Sequence, residues 1–520
     1  MKLSRVTFAA LILSLLGNLV SAQSTTQSPV KQNIVFILID DLGWKDFSYM
    51  GSTFYETPNI DKLASEGMTF SRAYEAAPRC VQSRTSIVTG RNHNRPELEG
   101  ANGLALDQKT IGNAFQENGY RTYYVGKWHL GLTKEYWPQN RGFDINKAGC
   151  SLGALASHFW PYTRDDREVQ TARREQHNVT PYGLEQGHKG EYIADRLTDE
   201  AITMLKNHKQ ANSDKPFFLY LSHYQVHEPL EAKADDIKYF EHKLSLMPKD
   251  TGPDYENDYT GKVKLKQNLP VYAAMIRSVD QSVMRIRNTL TELGYDKNTI
   301  IVLTSDNGGL STFDLLGNRK VATSNKPLRT GKGWLYEGGM RVPLTVYWPN
   351  VIPAGSTTDR AVVGTDFFPT FLDMAGLPLM PKQHLDGESF LPVLKGNNVP
   401  RSKPLFWYFD DAKLGTGNTA MAAMLDGDMK LVRYLYEDKD ELYNIRTDIG
   451  EHHNLAKEQP EKVAQMKAAL LEWQKQLNIR QLSAKQISTI KTLLKELRGI
   501  KPKDSGETDL TEFTLRSALE

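Results

Sequence analysis

Residues 33–41 read Asn-Ile-Val-Phe-Ile-Leu-Ile-Asp-Asp. Ile34 to Ile39 is an unbroken apolar run rich in β-branched residues, the pattern of a strand buried on both faces. It stops at two adjacent carboxylates. Such a pair is costly at the end of a buried strand unless it is ion-paired or holds a cation, so Asp40 and Asp41 read as one or the other. Outward from this strand a rhythm repeats. Thr57 and Pro58 open a helix whose face carries Ile60, Leu63 and Ala64 before Gly67 ends it. A helix over 107–119 precedes a strand over 120–125, a helix over 192–208 precedes a strand over 217–222, and a helix over 270–293 precedes a strand over 299–304. The alternation predicts an α/β fold, a large and mostly parallel sheet with helices on both faces. Sheets of this kind place their sites just beyond the strand C-termini.

The chain of 520 residues is long enough for one large domain and a smaller one. Lys and Arg number 64 against 62 Asp and Glu, so net charge gives no polyanion-binding surface and no case for nucleic acid. Residues 1–22 read as a secretory leader. Lys2 and Arg5 precede a mostly apolar stretch to Val20, and Val20-Ser21-Ala22 offers small residues for cleavage. A membrane anchor is the weaker reading, because Ser14, Gly17 and Asn18 break a run that is already short. An exported protein with only Cys80 and Cys150 suits a bacterial periplasm, or secretion by a bacterium, better than an animal secretory route.

Residues 150–190 interrupt the rhythm with a segment rich in aromatics and arginines and too polar for core. It reads as a solvated loop or as an insertion that touches substrate. In the second case Trp160, Arg164, Arg167, Arg173, Arg174 and His177 are the binding candidates, with Phe159 and Tyr162 as further rings to stack on a sugar. Composition changes near 380–403, which reads as a linker region. Beyond it, strands over 405–409, 420–425 and 429–436 and an amphipathic helix over 459–477 predict a small α+β domain with an antiparallel sheet. The expected layout is a leader over 1–22, a polar N-terminus over 23–32, a catalytic domain over 33–400, the α+β unit over 401–480, and a charged helix with a polar tail over 481–520.

The strand ends deliver a set of chemical groups. Asp40, Asp41, Asp306 and Asn307 offer only oxygen, which suits a hard cation such as Ca²⁺ and argues against Zn²⁺. Arg84, Lys127, His129, His227 and Lys332 offer positive charge and proton transfer; singly, each reads as readily as a structural hydrogen-bonder or a surface lysine. Cys80 begins the run Cys-Val-Gln-Ser-Arg, followed by Thr89-Gly90-Arg91. The helix-compatible residues after it put Cys80 near a helix N-terminus, where backbone N–H groups favour negative charge. Alone it could equally be a buried structural cysteine.

Taken together, these stretches resemble the type I, formylglycine-dependent sulfatase family, a branch of the alkaline phosphatase superfamily. The resemblance runs through Asp40-Asp41, the Cys80 motif, Gly126-Lys127-Trp128-His129-Leu130-Gly131 and Asn140-Arg141-Gly142-Phe143-Asp144. It continues through His227-Glu228-Pro229, Ser305-Asp306-Asn307-Gly308-Gly309, the stretch from Leu328 to Pro343, and Leu442-Tyr443-Asn444 with Asn454-Leu455, covering about residues 33–478. It implies an alkaline-phosphatase-like α/β/α sandwich with a small C-terminal domain, and an arylsulfatase-like hydrolase. A maturase would oxidise Cys80 to formylglycine, and one Ca²⁺ would be held by Asp40, Asp41, Asp306, Asn307 and modified Cys80. Arg84 and Lys127 would orient the formylglycine hydrate, His129 would act on it, Lys332 would bind sulfate, and His227 would protonate the leaving oxygen. Export makes a sulfated carbohydrate the expected partner. Gln82 stands where the family has Pro or Ala, a departure that bears on which maturase converts Cys80. A related phosphate or phosphonate ester hydrolase, or a glycan-binding protein with an unmodified Cys80, are the alternative readings.

Overall fold

The computed structural model describes residues 31–164, 178–259, 261–314, 321–412, 414–437, 439–479 and 483–499. The leader over 1–22, Arg167, Arg173, Arg174, His177 and the tail beyond 499 lie outside them. The 33–41 strand, β1 (Asn33–Ile39), is the middle of a nine-stranded sheet. Its flanking strands are β2 (Met68–Tyr74), β3 (Arg121–Gly126), β4 (Ile145–Lys147), β5 (Phe217–Ser222), β6 (Thr299–Ser305), β7 (Arg341–Tyr347), β8 (Ser356–Thr358) and β9 (Val362–Val363). The order is β8-β2-β7-β6-β1-β5-β3-β4, with β9 also paired to β2. All pairs are parallel except the two made by β7.

Side chains of β1 alternate between two cores. Val35, Ile37 and Ile39 pack with α1 (Pro58–Glu66), α4 (Ile193–Gln210), α5 (Ala234–Leu246) and α6 (Pro270–Glu292). Ile34, Phe36 and Leu38 pack with α2 (Cys80–Thr89), α3 (Ile111–Glu117) and α7 (Phe367–Met374). The result is the three-layer α/β/α arrangement that the rhythm predicts, and it leaves the whole of β1 buried. A separate antiparallel sheet follows: β10 (Leu405–Phe409), β11 (Met421–Asp426), β12 (Met429–Tyr434) and β13 (Lys439–Asn444). One face of it carries α8 (Pro460–Gln476). The other packs on Tyr74, Trp334, Tyr336 and Met340 of the main body. No helix among the described residues is long and apolar enough to cross a membrane.

The structure departs from expectation in several places, among them strands β2, β4, β7, β8 and β9, which the alternation does not predict. The helix expected from 107 starts at Ile111, because Thr110 is its cap and exchanges hydrogen bonds with Asn113. The C-terminal sheet has a fourth strand, β13. The 380–403 stretch is not a free linker: Phe390 and Leu394 are fully buried, and Asp386 accepts two hydrogen bonds of 2.7 Å from Arg95. Residues 150–190 are not all surface, since Leu152, Leu155, Tyr162 and Leu184 belong to the core against β1.

Candidate active site

Every strand that ends near β1 contributes a polar group at the same edge. Asp40 and Asp41 follow β1, and Asp41 turns back at φ 60°, a left-handed conformation that a short carboxylate side chain tolerates. Asp306 and Asn307 follow β6, whose register places Ile39 beside Ser305. The Asp41 N–H donates to Asp306 Oδ1 at 3.1 Å, and Asn307 Nδ2 donates to Asp41 Oδ1 at 2.8 Å. Lys127 follows β3 and donates to Asp40 Oδ2 at 2.6 Å. Lys332 donates to Asp41 Oδ2 at 2.7 Å, with its Nζ 3.6 Å from Cys80 Sγ. His227, beyond β5, sets Nε2 3.7 Å from Asp41 Oδ2 and Nδ1 2.7 Å from the Glu228 carbonyl. Since a carbonyl can only accept, Nδ1 carries the hydrogen and Nε2 faces the cluster.

Cys80 is the first residue of α2, and Arg84 comes one turn later. Two of the three Arg84 guanidinium nitrogens donate hydrogen bonds, while Nη2 makes only ion-pair contacts with Asp306 and Asp40. Its Nε donates to Asp306 Oδ2 at 2.9 Å, and its Nη1 donates to the Lys127 carbonyl at 2.9 Å and to Ser222 Oγ at 2.6 Å. Ser222 was not among the sequence candidates. Its one signal is its place as the last residue of a strand that feeds the site.

Burial sets the electrostatics. It lifts the Asp40 carboxyl well above the usual range, with Lys127 only partly opposing it. Burial also pushes Asp41 up, but Lys332, His227 and Lys127 outweigh it and hold that group below the ordinary carboxylate range. Burial raises the Cys80 thiol against the pull of Lys127 and Lys332. Burial, then Lys332, keeps His227 far below the ordinary histidine value. Four oxygen-bearing side chains, Asp40, Asp41, Asp306 and Asn307, are thus packed at 3% exposure or less. Asp40 Oδ1 and Asn307 Oδ1 are buried without a hydrogen-bond partner. Asp40, Cys80 and Asp306 bring ligand atoms within 4.8 Å of one another, as do Asp41, Cys80 and His227. Buried oxygens without a hydrogen-bond partner are what a hard cation would satisfy, so the donor set fits Ca²⁺.

Asp40, Asp41, Cys80, Arg84, Lys127, His227, Asp306, Asn307 and Lys332 therefore meet at one edge of the sheet. His129 lies two residues past Lys127 at φ 62°, its ring against Gly153, where a Cβ would come within 2.3 Å. The segment expected to touch sugar fares differently. Tyr162 is fully buried and donates to Glu191 at 2.6 Å, so it cannot stack on a ligand. Trp160 is half-buried against the core, with Gly187 on its ring. Arg164 pairs with Glu231, four residues after His227.

A protein-family model described as Sulfatase matches residues 32–377. The chain belongs to the sulfatase family. A second model, described as N-sulphoglucosamine sulphohydrolase, C-terminal, matches residues 330–477 of this sulfatase. Among curated relatives, the N-acetylgalactosamine-6-sulfatase of Sus scrofa is 32% identical over 421 residues, spanning 77% of this chain and 71% of that protein. A sulfatase of Formosa agariphila is 29% identical over 530 residues, spanning 88% of this chain and 90% of its own length. Among solved structures, Ps i-CgsB superposes with a TM-score of 0.69 at 31% identity, covering 85% of this sulfatase and 92% of that chain. The same protein is also solved in complex with k-i-k-neocarrahexaose.

Proposed function

We propose that this sulfatase removes sulfate from a sulfated carbohydrate, with Cys80 converted to formylglycine as the nucleophile. Asp40, Asp41, Asp306 and Asn307, with the modified side chain at position 80, would hold one Ca²⁺. The observation that carries the reading is the place of Cys80. It opens a helix, lies 3.6 Å from the Lys332 ammonium, and shares a 4.8 Å sphere with ligand atoms of Asp40 and Asp306. Sγ marks the position that the modified side chain's oxygens take over. The relatives' names, an amino-sugar sulfatase and a structure holding a neocarrahexaose, support a sulfated carbohydrate. The exported bacterial setting expected from residues 1–22 belongs to the same proposal.

A cation held there would supply positive charge favouring an ionised hydroxyl on the hydrate of the position-80 aldehyde and offsetting charge on the sulfate oxygens. Arg84 holds Asp306 and caps the charge behind the nucleophile. Lys127 neutralises Asp40, so that the inner carboxylates do not repel the incoming anion. Lys332, between Asp41 and position 80, binds the sulfate oxygens as they approach. His227 Nε2 gives the proton to the leaving sugar oxygen. The anionic ester drawn up by Lys332 raises its proton affinity, which burial and the neighbouring lysine hold low. After one hydrate hydroxyl has taken the sulfuryl group from the sugar oxygen, His129 withdraws the proton of the other hydroxyl, the aldehyde re-forms and the C–O bond to sulfate breaks.

Mass spectrometry of the residue-80 peptide from active protein, paired with parallel assays on sulfate and phosphate esters, tests the reading. Aldehyde in place of thiol and a clear preference for the sulfate ester are expected. Active protein carrying only thiol, or a preference for phosphate, refutes it.

A further inference from the structure

The loop that carries Lys332 owes its shape to the C-terminal sheet. Arg329 donates to the Tyr443 hydroxyl at 3.0 Å, and Trp334 Nε1 donates to the Thr416 carbonyl at 3.0 Å. The Tyr336 and Tyr434 hydroxyls are 2.5 Å apart, and Lys430 pairs with Glu337 at 2.8 Å. The peptide before the nucleophile is tied to the same place. Arg79, the residue preceding α2, donates from Nη2 to Thr416 Oγ1 at 2.6 Å and to Asn418 Oδ1 at 3.1 Å.

Gly333 lies between the two loops. Its N–H donates to the Pro78 carbonyl at 2.9 Å. Its φ is +94°, and a Cβ there would come within 2.8 Å of both Asn418 Oδ1 and Thr416 Oγ1. The residue before Cys80, the residue after Lys332 and the 416–418 turn therefore converge where only a hydrogen fits. Thr416 and Asn418 are buried at 2% and 5% exposure, so this junction is internal and does not face substrate.

We propose that Arg79, Thr416 and Asn418 form a positioning clamp for the reaction. Through it the C-terminal sheet fixes the Lys332 ammonium against the side chain at position 80. The proposal rests on the reading that Lys332 binds the transferred group. Arg79 Nη2 alone reaches both acceptors, and the planar guanidinium keeps that nitrogen's two N–H bonds in a fixed orientation that a freely rotating ammonium lacks. The consequence for rate is disproportionate to the size of the contact, since a misplacement of about 1 Å can cost about a hundredfold.

The test is a double-mutant cycle on the full chain. Arg79→Gln, Arg79→Lys and Asn418→Ala are made singly and combined with Lys332→Ala. Each variant is read by kcat/KM on an aryl sulfate, by the calorimetric Kd of inorganic sulfate, and by Tm. Arg79→Gln is expected to lower kcat/KM by about ten- to a hundredfold and to weaken sulfate binding. In the Lys332→Ala background it should change neither by more than about twofold, because its effect runs through the missing lysine. Arg79→Lys should recover part of the loss. Asn418→Ala should show the same pattern with a smaller amplitude, and it decides the matter if Arg79→Gln does not fold. Losses that add in full on top of Lys332→Ala, or a fall in Tm alone, overturn the clamp. Should the parent protein prefer a phosphate ester, the sulfate reading is the part that fails. The same cycle, run with that ester and inorganic phosphate, then judges the clamp by the same criteria.

Discussion

Arg84 and Asp306 meet side-on across the top of the sheet, with Nε donating to Oδ2 at 2.9 Å and Nη2 lying 2.8 Å from the same oxygen. Both side chains are almost wholly buried. This pair ties the helix that begins with Cys80 to the strand that neighbours β1. It leaves Asp306 Oδ1 turned toward Asp41, whose N–H it accepts.

Truncating Arg84 therefore strands a carboxylate. Removing one partner of a buried pair costs about 3–5 kcal/mol. Arg84→Ala should lower stability by that order in urea titration and abolish turnover. Arg84→Lys should fold better yet stay nearly inactive, because one ammonium cannot reach Asp306, the Lys127 carbonyl and Ser222 together. A lysine variant with most of the parent activity would contradict the role given to the fork.

Asp306→Ala should lose both metal and activity. The remaining carboxylates cannot replace an oxygen that lies within 4.8 Å of ligand atoms on Asp40 and Cys80. In the parent protein, stripping with a chelator should lower Tm, and Ca²⁺ at about a hundred times its Kd should restore about 2.7 kcal/mol. Full metal content in Asp306→Ala, by elemental analysis, would remove that residue from the ligand set.

His227→Ala should discriminate between leaving groups. General acid catalysis is worth about 10²–10⁴-fold when the departing oxygen is a poor leaving group. Hydrolysis of a sugar sulfate should fall by that order, while a nitrophenyl sulfate, whose leaving group needs no proton, is spared. Equal losses on both substrates would assign His227 to sulfate binding.

A pH effect follows from His223, a fully buried ring whose Nε2 pairs with Ser282 at 3.0 Å. Burial pulls it down from the usual 6.5 to about 4. The folded state thus binds this proton less tightly than the unfolded chain. Stability is complete above about pH 6.5 and is lost as pH falls toward 4, by up to about 3 kcal/mol. His223→Gln should flatten that part of the stability curve, as followed by denaturant titration at each pH. An unchanged acid limb would mean that the ring is not the group that titrates.

Much of the site was legible because its residues adjoin strand ends. Asp40-Asp41 and Asp306-Asn307 each follow an apolar run too long and too β-branched to be anything but a buried strand. The strand β7 was hidden by its own composition. Pro343 sits at a register shift between Val342 and Leu344, and a proline argues against a central strand. β2 was hidden because Ser71 and Arg72 interrupt its pattern. Tyr162 was misplaced because charged neighbours in sequence say nothing of a ring that turns inward to Glu191. The Arg79–Asn418 contact spans 339 positions and leaves no local trace.

The central place of β1 also has a consequence for the order in which the chain is made. Its Asn33 waits 184 positions for its partner beside Phe217 and 266 for Thr299. At a synthesis rate of about 5–20 residues per second, the second wait lasts roughly 13 to 53 s. Until residue 217 is made the most hydrophobic strand has neither neighbour, and until residue 299 is made it still lacks one, so the fold that leaves Cys80 only 6% exposed has not yet closed. Under the proposed function, the modification of position 80 has until residue 299 arrives, and a chain that closes first seals its thiol inside.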